Sequence, residues 1–365
     1  MIRRLRAIAA RTWRIAKWPL AATSVVLILL LAPVGYVELA CRGTPGLDTY
    51  QPLITDPAFQ RREANTYLTY PEWHIVYAYD GLAEALKTGD EHRFDYAASV
   101  VRFWSSACAL MRVADEHGGA DWETRSMIHT IGVSFASEMA VKAAYEETVG
   151  RVFTWLRGGA KTPQDQAVAA TAIEYAAFLR QTPWYQYPFP RERHELWAAP
   201  MNGFVRGWER RLGIGLEFTA KAAYAKVIAG AVAATAPAAL TIRSVVTGLD
   251  RAALAGIEGV TIVGARGDGV EIETPRYDLF TRILVQIAGR GGEVREIAGN
   301  DDIMVTLTVP DGRNPALRDG SVILRLKRDA ITGERLLVNV KVTALAALLT
   351  AHPLGDPGLE HIFDY

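Results

Sequence analysis

The hydropathy pattern begins with a run at residues 19–37 that contains no charged side chain. At 1.5 Å per residue, a helix of that length is roughly 28 Å long, close to the hydrocarbon thickness of a bilayer. Trp13 and Trp18 precede the run and Tyr36 lies near its end, as expected for aromatic rings at the two membrane interfaces. The pattern predicts a transmembrane helix over residues 19–40, in contact with the lipid bilayer.

The charges before this run predict its orientation. Residues 1–18 carry six basic side chains and no acidic one, namely Arg3, Arg4, Arg6, Arg11, Arg14 and Lys17. The positive-inside rule therefore puts residues 1–18 in the cytoplasm and the bulk of the chain in the periplasm. The prediction is a single-pass protein of the cell inner membrane, and the layout resembles that of single-pass bacterial envelope proteins.

Three other roles of the N-terminal segment stay open. A cleaved signal peptide has a shorter apolar run and a small-residue exit, which GYVELACRG at residues 35–43 does not provide. Lipidation of Cys41 is disfavoured because Glu38 stands where such signals carry an aliphatic residue. An organellar presequence shares the Arg-rich, acid-free start but not the long apolar run.

Residues 41–68 read as an irregular linker, and residues 69–236 show helical periodicity. One helix is expected to begin at the cap Asp121 and to end at Gly158. Another is expected to begin at the cap Thr162, with Pro163 in the first turn and Gln166 completing a capping box. The second region is therefore predicted to be an all-α domain.

A second apolar segment, residues 222–241, could be mistaken for another membrane span. It is rich in alanine and interrupted by Lys226 and Pro237, and a lysine at the centre of a span costs about 2.5–3.5 kcal/mol. We predict a packed helix here. Contact of this segment with the membrane is left open by the sequence.

After residue 236 the period of the apolar positions changes to two, which is typical of strands. Seven strand-like segments follow, with a short helix after the first and a longer helix after the third. The order β-α-β-β-α-β with further strands predicts a ferredoxin-like α+β sandwich with an added antiparallel hairpin over residues 237–365. The fold class is α+β, and no repeat at a fixed period is visible in the sequence.

Charge and cysteine content narrow the possible functions. The net charge is zero and residues 1–18 contribute +6, so residues 19–365 sum to −6. A nucleic-acid surface is therefore disfavoured, because phosphate binding needs concentrated basic charge. The two cysteines, Cys41 and Cys108, exclude a disulfide framework and a four-cysteine zinc site. Two separate thiols are the expected state, and a single bridge is the alternative in an oxidising compartment.

The stretch TYPEWHIVYAYD, residues 69–80, reads mainly as the start of a helix. Thr69 and Glu72 have the spacing of a capping box, and Pro71 suits a first turn. His74 is expected to be a core histidine. As candidates for chemistry, a carboxylate and an imidazole beside aromatic rings could also form an acid/base pocket, with Glu72 and His74 as catalytic groups.

Further candidates come from the helical region. Glu138, Lys142 and Glu146 step by four along one helix, which predicts an ion-pair ladder, although Glu138 could instead be a buried functional acid with Lys142 as its partner. The aromatic side chains expected to bind a ligand or to cover the core are Tyr70, Trp73, Tyr77, Trp184 and Tyr185. No metal-ligand motif is present, so neither a metal nor a cofactor is predicted.

No complete catalytic constellation is legible in the sequence. The favoured function is therefore binding or scaffolding in the cell envelope, with an envelope protein as partner. The alternative is an envelope enzyme with an acid/base site formed by Glu72, His74 and Glu138. An enzyme requires these groups to converge in a pocket, whereas a scaffold uses them in caps and core contacts.

Overall fold

The computed structural model describes residues 2–47, 49–234, 240–315, 317 and 319–365, and for residues 2–16, 19, 20, 22 and 231–234 it describes the backbone alone. The first element is helix α1, Ile2–Ala40. Its segment Thr23–Ala40 has a mean hydropathy of 2.0 over 18 residues and is the one helix within these ranges that is long and apolar enough to cross a membrane. Its length and composition fit a membrane span or a signal sequence.

The end of α1 is fastened to the rest of the protein. Cys41 is disulfide-bonded to Cys108, so the expectation of two separate thiols is wrong. Val37 and Cys41 are fully buried. Glu38 accepts hydrogen bonds from Arg125 at 2.5 Å and from His129 at 2.7 Å. The disulfide and these contacts therefore fix the orientation of the end of α1 relative to α3 and α4.

Seven further helices lie within the described residues before the first sheet, and their packing explains the helical periodicity. They are α2 Ala64–Thr88, α3 Tyr96–Glu116, α4 Trp122–Tyr145, α5 Arg151–Arg157, α6 Pro163–Leu179, α7 Phe189–Ala198 and α8 Phe204–Ala234. A π-helical turn, Glu146–Gly150, joins α4 to α5. Helix α2 is central, with α3, α4 and α6 packed around it, so it is apolar on most sides.

Residues 41–63, which we call the strap, connect α1 to α2. At the described positions of the strap the chain is irregular, except for a short turn at Pro57–Phe59. The strap is hydrogen-bonded along its length. The Gly43 amide donates to Asp115 at 2.8 Å in α3. The Ile54 amide donates to the buried carboxylate of Glu296 at 2.8 Å, and the Arg61 amide donates to the Ala298 carbonyl at 2.9 Å. The predicted linker is thus packed against both parts of the molecule.

The predicted helix start at Thr69 is wrong. Helix α2 begins at Ala64, five residues earlier, because the residues before Thr69 are themselves compatible with a helix. The Thr69 hydroxyl donates to the carbonyls of Asn65 at 2.9 Å and Asp364 at 3.1 Å instead of capping an amide. Pro71 lies inside the helix, where it removes one backbone hydrogen bond.

Two other helix starts agree with the predicted caps. The Asp121 side chain accepts from the Thr124 amide at 2.8 Å and caps α4. Thr162 caps α6, but the residue that completes the capping box is Asp165. Gln166, predicted for that role, lies one position too far, because the box needs the third helical residue.

The C-terminal part contains two antiparallel sheets. The first has strands β1 Thr241–Thr247, β2 Thr261–Arg266, β3 Gly269–Pro275 and β4 Glu293–Ile297, in the order β2-β3-β1-β4. The second has β5 Asp302–Val309, β6 Gly320–Lys327, β7 Glu334–Lys341 and β8 Gly358–Ile362, in the order β6-β7-β5-β8. The helices are α9 Arg251–Ala255, α10 Asp278–Gly289 and α11 Leu345–Ala351. Where the sequence predicts one sandwich with an added hairpin, a complete second sheet is present.

The second sheet repeats the topology of the first. In each sheet the third strand pairs with the first and second, the fourth strand returns to the first, and one helix precedes the fourth strand. The register shifts also recur at equivalent places, between Val245 and Val246 in β1 and between Thr306 and Leu307 in β5. Apolar residues of both sheets share one core with α10 and α11.

Helix α2 lies on the second sheet and thereby joins the two parts of the protein. The Thr66 hydroxyl donates to the Phe363 carbonyl at 2.7 Å, and the Trp73 ring stacks on His361 with centroids 3.5 Å apart. These contacts bury the aromatic face of α2 against strand β8.

Candidate functional site

The candidate groups of helix α2 take part in packing. His74 is buried between the rings of Phe103 and Phe135, and its Nε2–H donates to the Ser99 carbonyl at 3.0 Å. Burial lowers the pKa of His74 to about 3, so the imidazole is neutral at physiological pH. Its Nδ1 has no hydrogen-bond partner within the described part of the chain. A neutral histidine closed off in this way is typical of a core residue.

Glu72 lies apart from His74, at the edge of the contact with the C-terminal segment. Burial raises the pKa of this half-buried carboxyl to about 6, against an opposing effect of the Arg276 guanidinium and with a contribution from Asp364. Glu138 has other partners, since it accepts from the Tyr79 hydroxyl and pairs with Lys221 at 2.6 Å. Glu72, His74 and Glu138 therefore have separate sets of partners.

The aromatic candidates are divided between two regions. Tyr70, Trp73 and Tyr77 are buried under the second sheet, and the guanidinium of Arg335 lies 3.6 Å from the centre of the Tyr77 ring. Trp184 and Tyr185 form a turn outside α6, where Trp184 lies 5.2 Å from the ring of Tyr224 in α8. The first group thus belongs to the contact between α2 and the second sheet, and the second group belongs to a turn that packs on α8.

A concentration of charged and polar groups surrounds a small cavity among α2, α4, α6 and α8. We call it the charged cavity. It has a volume of about 50 Å³, which is enough for a few water molecules. Its charged lining consists of Glu91, Lys142, Glu146, Arg210, Glu217 and Lys221. Its aromatic lining includes Tyr79, Tyr96, Tyr175, Phe189 and Phe218.

At one end of the charged cavity, two lysines share one carboxylate. Glu217 lies 2.8 Å from Lys142 and 3.3 Å from Lys221. Burial alone would raise the pKa of Glu217, but the two ammonium groups outweigh it and hold the pKa at about 2. Lys221 also donates to the Tyr79 hydroxyl at 2.8 Å. The predicted ladder Glu138-Lys142-Glu146 is not formed, because Lys142 pairs with Glu217 on α8.

At the other end, two arginines of α8 meet buried carboxylates from several elements. Arg206 donates to Glu91 at 2.6 Å, to Asp165 at 2.9 Å and to Glu209 at 3.0 Å. Arg210 donates to both oxygens of Glu146, at 2.6 and 3.1 Å, and also contacts Glu91. Four carboxylates thus face two guanidinium groups, and Arg157 contacts Asp165 from the side.

This excess of acid and the burial together favour a retained proton. Burial raises the pKa of Glu146 to about 8, and Glu209 and Glu217 add to the effect while Lys142 and Arg206 oppose it. Burial also raises the pKa of Glu209. A carboxyl that titrates near neutral pH can give or take a proton. The charged cavity can therefore hold water and exchange protons.

Sequence reasoning missed Arg206, Glu209 and Arg210, which carry much of this network. Their segment, RGWERR at residues 206–211, puts charges at i, i+3 and i+4 on one face of an otherwise apolar helix. That spacing was a usable signal, since charges on the inner face of a helix need partners. Their partners outside α8 are 41 to 119 residues away in sequence, so only the fold reveals them.

A second cluster of polar groups lies where the strap meets α2, α3 and β5. One ligand atom each of Glu63, His117 and Asp302 lies within 4.8 Å of the others. The Asp302 carboxylate also accepts from Lys341 at 2.6 Å and from Asn339 at 3.3 Å. An ammonium group already balances this carboxylate, so the arrangement is that of an ion-pair cluster.

Comparison with protein-family models, with curated proteins and with solved structures finds no match to this chain.

Proposed function

We propose that this chain is a single-pass inner-membrane protein whose region from Cys41 onward lies in the periplasm and serves as a binding or scaffolding module of the cell envelope. The observation that carries the proposal is the disulfide between Cys41 and Cys108. Disulfides persist in oxidising compartments and are rare in the cytosol. The basic residues before α1 favour the opposite, cytoplasmic side for the N-terminal end, so two independent features support the same topology.

A scaffolding role is supported by how the anchor is attached. The bridge, the buried face of α1 and the contacts of Glu38 with Arg125 and His129 leave no flexible hinge at the membrane. The strap continues this attachment to the first sheet through Glu296. A body held in this way presents its surfaces to an envelope protein partner in one orientation.

For the first sheet we propose a ferredoxin-like unit over residues 241–297. The order β1-α9-β2-β3-α10-β4 and the placement of β1 between β3 and β4 support it. The second sheet would be a variant of the same unit.

The topology is tested with a reporter enzyme that is active only in the periplasm, fused after residue 60 and again after residue 365. Both fusions are expected to be active. The matched control is the same pair of fusions in a chain whose six basic residues at positions 3–17 are replaced by glutamine, which should weaken the orientation signal. An inactive fusion after residue 365 with an active one after residue 60 would contradict the proposal.

The second candidate function is an acid/base enzyme whose site is the charged cavity, and the raised pKa of Glu146 favours it. The substitution Glu146→Gln distinguishes the two functions. It keeps the shape of the side chain and the acceptor for Arg210 but removes the group that titrates. A scaffold is expected to tolerate this change in a strain that depends on the chain. A folded, correctly inserted Gln variant that behaves like a deletion would favour the enzyme.

A further inference from the structure

Residues 222–230 of α8 expose an apolar surface. Val227 is 67% exposed and Tyr224 is 43% exposed, and Ala223 and Gly230 are also exposed. The sequence has no acidic residue between Glu217 and Asp250, and Lys226 is the only charged residue within 222–230. Exposed apolar surface of this kind usually marks a contact with another protein or a membrane.

The register of α8 on α4 shows where this segment lies. Glu209 pairs with Tyr145, Glu217 with Lys142, and Lys221 with Glu138. Increasing numbers in α8 thus meet decreasing numbers in α4, so the two helices are antiparallel. Beyond Lys221, α8 runs toward the N-terminal half of α4.

That half of α4 is where α1 is held. Arg125 and His129 of α4 bind Glu38 of α1. The exposed segment 222–230 is therefore directed to the end of the helical bundle at which the apolar helix α1 is attached.

Aromatic side chains accompany the segment on this side of the molecule. Trp184 lies 5.2 Å from the ring of Tyr224. Trp122, the first residue of α4, is 62% exposed, and Tyr36 of α1 is 60% exposed. Exposed tryptophan and tyrosine rings are enriched at membrane–water interfaces.

We propose that residues 222–230 of α8 insert shallowly into the outer surface of the bilayer that α1 spans, as a second membrane contact of the soluble region. This inference rests on the proposed function in requiring that α1 spans the bilayer. An amphipathic helix binds a lipid surface through its apolar face while basic residues approach anionic headgroups. Lys226 can extend its ammonium group to that layer while its methylene groups lie among the apolar residues.

A bilayer fits this surface better than a second copy of the chain. The segment carries positive charge and no acid, which complements anionic lipid but not an identical segment. Its attachment near α1 also keeps it close to the membrane at all times. A full crossing would place Lys226 in the hydrocarbon region, which is costly, so shallow insertion is the geometry that the segment allows.

The test uses the full chain in nanodiscs that contain phosphatidylglycerol and spin-labelled lipid. Both native cysteines are in the disulfide, so a single introduced cysteine can be labelled with an environment-sensitive fluorophore. The probe position is Val227→Cys. The matched control is Val101→Cys on α3, since Val101 has nearly the same exposure at 66%. Leu29→Cys in α1 reports the anchor.

Quenching by lipid labelled near the headgroup is expected to be at least threefold stronger at position 227 than at position 101. Position 29 should be quenched best by lipid labelled deep in the acyl chain. Lys226→Glu should reduce the quenching at position 227 and leave that at position 29 unchanged. Retention of the native disulfide, read from the intact mass, confirms folding of each variant.

Each contrary result has a distinct meaning. Quenching at position 29 with none at position 227 overturns the inference and leaves the membrane anchor standing. Absence of quenching at position 29 overturns the proposed function itself. A disulfide-linked dimer of the unlabelled Val227→Cys chain, with no lipid quenching of the labelled chain, would assign the surface to a second copy and also overturn the inference.

Discussion

Cys41, one residue beyond α1, is covalently joined to Cys108 in the middle of α3, 67 residues later in the sequence. The end of α1 and the helical core are therefore one body. Between the two cysteines lie the strap and the whole of α2, so the loop that the bridge closes contains the central helix of the protein.

Loss of this bridge is expected to lower the stability of the protein. Closing a loop of this length lowers the conformational entropy of the unfolded chain, which raises the free energy of that state by about 4 kcal/mol in the chain-entropy model. Replacement of both cysteines by serine should lower the thermal midpoint of the full chain in nanodiscs by several degrees, measured by circular dichroism. Added reductant should lower the midpoint of the native chain toward that of the double variant and leave the double variant unchanged. Equal midpoints for the two chains would contradict a stabilising role.

Glu296 is expected to hold the strap on the first sheet. It is fully buried and accepts hydrogen bonds from the Tyr50 hydroxyl and from the amides of Leu53 and Ile54. Glu296→Gln leaves one acceptor oxygen and should cost about 1.5–3 kcal/mol, because hydrogen bonds to a charged group are lost. Hydrogen exchange at the amides of Leu53 and Ile54 should become faster in this variant.

The control for this prediction is Glu293→Gln, an exposed residue in the same strand β4, which should leave the exchange unchanged. Protected amides at residues 53 and 54 in the Glu296→Gln chain would show that other contacts hold the strap.

Thr69→Asp distinguishes the observed role of Thr69 from a helix cap. A capping threonine can be replaced by aspartate at little cost. In the structure the hydroxyl donates to the carbonyls of Asn65 and Asp364, and a carboxylate placed there would face two acceptors. We expect Thr69→Asp to destabilise the chain by more than Thr69→Val, which loses about 1 kcal/mol for the missing hydrogen bonds. If chemical denaturation shows the same free energy of unfolding for Thr69→Asp as for the native chain, Thr69 acts as a helix cap after all.

Glu146 should make stability depend on pH near neutrality. Its folded pKa of about 8 lies above its ordinary value of 4.5, so the folded protein binds this proton more tightly than the unfolded chain. The stability that it contributes is present below the unfolded pKa and is lost as the pH rises toward 8. Glu146→Gln removes this loss, because glutamine does not titrate. The difference between the thermal midpoint of the variant and that of the native chain should therefore be more positive at pH 8 than at pH 6.

The matched control for Glu146 is Glu147→Gln, its exposed neighbour, whose difference from the native chain should not change with pH. A constant difference for Glu146→Gln over the same range would mean that its carboxyl is ionised throughout.

Local sequence signals predicted most helices and strands but not the long-range contacts between them. The caps Asp121 and Thr162 depend on residues within one turn, and such signals were sufficient to predict the starts of α4 and α6. Strand β8 was missed because GLEHIFDY follows the turn-rich PLGDP segment and pairs with β5, about fifty residues earlier. The repeated topology of the two sheets was also invisible, since equivalent positions carry unlike side chains, such as Glu296 in β4 and His361 in β8.

The candidate site shows the same limit more strongly. Glu138 was expected to pair with Lys142, but its cation is Lys221 on another helix and not Lys142 one turn away. A helical wheel shows which residues share a face of one helix. It does not show which second helix covers that face, and the partners of Arg206 and Arg210 depend on that packing.

Lys221 is the residue whose removal should unbalance the charged cavity most. Its ammonium group lies 2.6 Å from Glu138 and 3.3 Å from Glu217, and 5.0–5.4 Å from the ring centres of Tyr79, Tyr175 and Phe189. Lys221→Met keeps most of the volume but leaves Glu138 without its cation and Glu217 with Lys142 alone. Breaking a buried ion pair from one side costs about 3–5 kcal/mol, and the partial exposure of Glu138 reduces the expected loss to about 2–4 kcal/mol. Lys226→Met, five residues later on the exposed side of the same helix, should change stability by less than about 0.5 kcal/mol.

A double variant tests the cause of the loss. Adding Glu138→Gln to Lys221→Met should recover part of the lost stability, because the uncompensated carboxylate is then gone. A double variant that is no more stable than Lys221→Met alone, measured by chemical denaturation, would show that Glu138 is solvated well enough to need no cation.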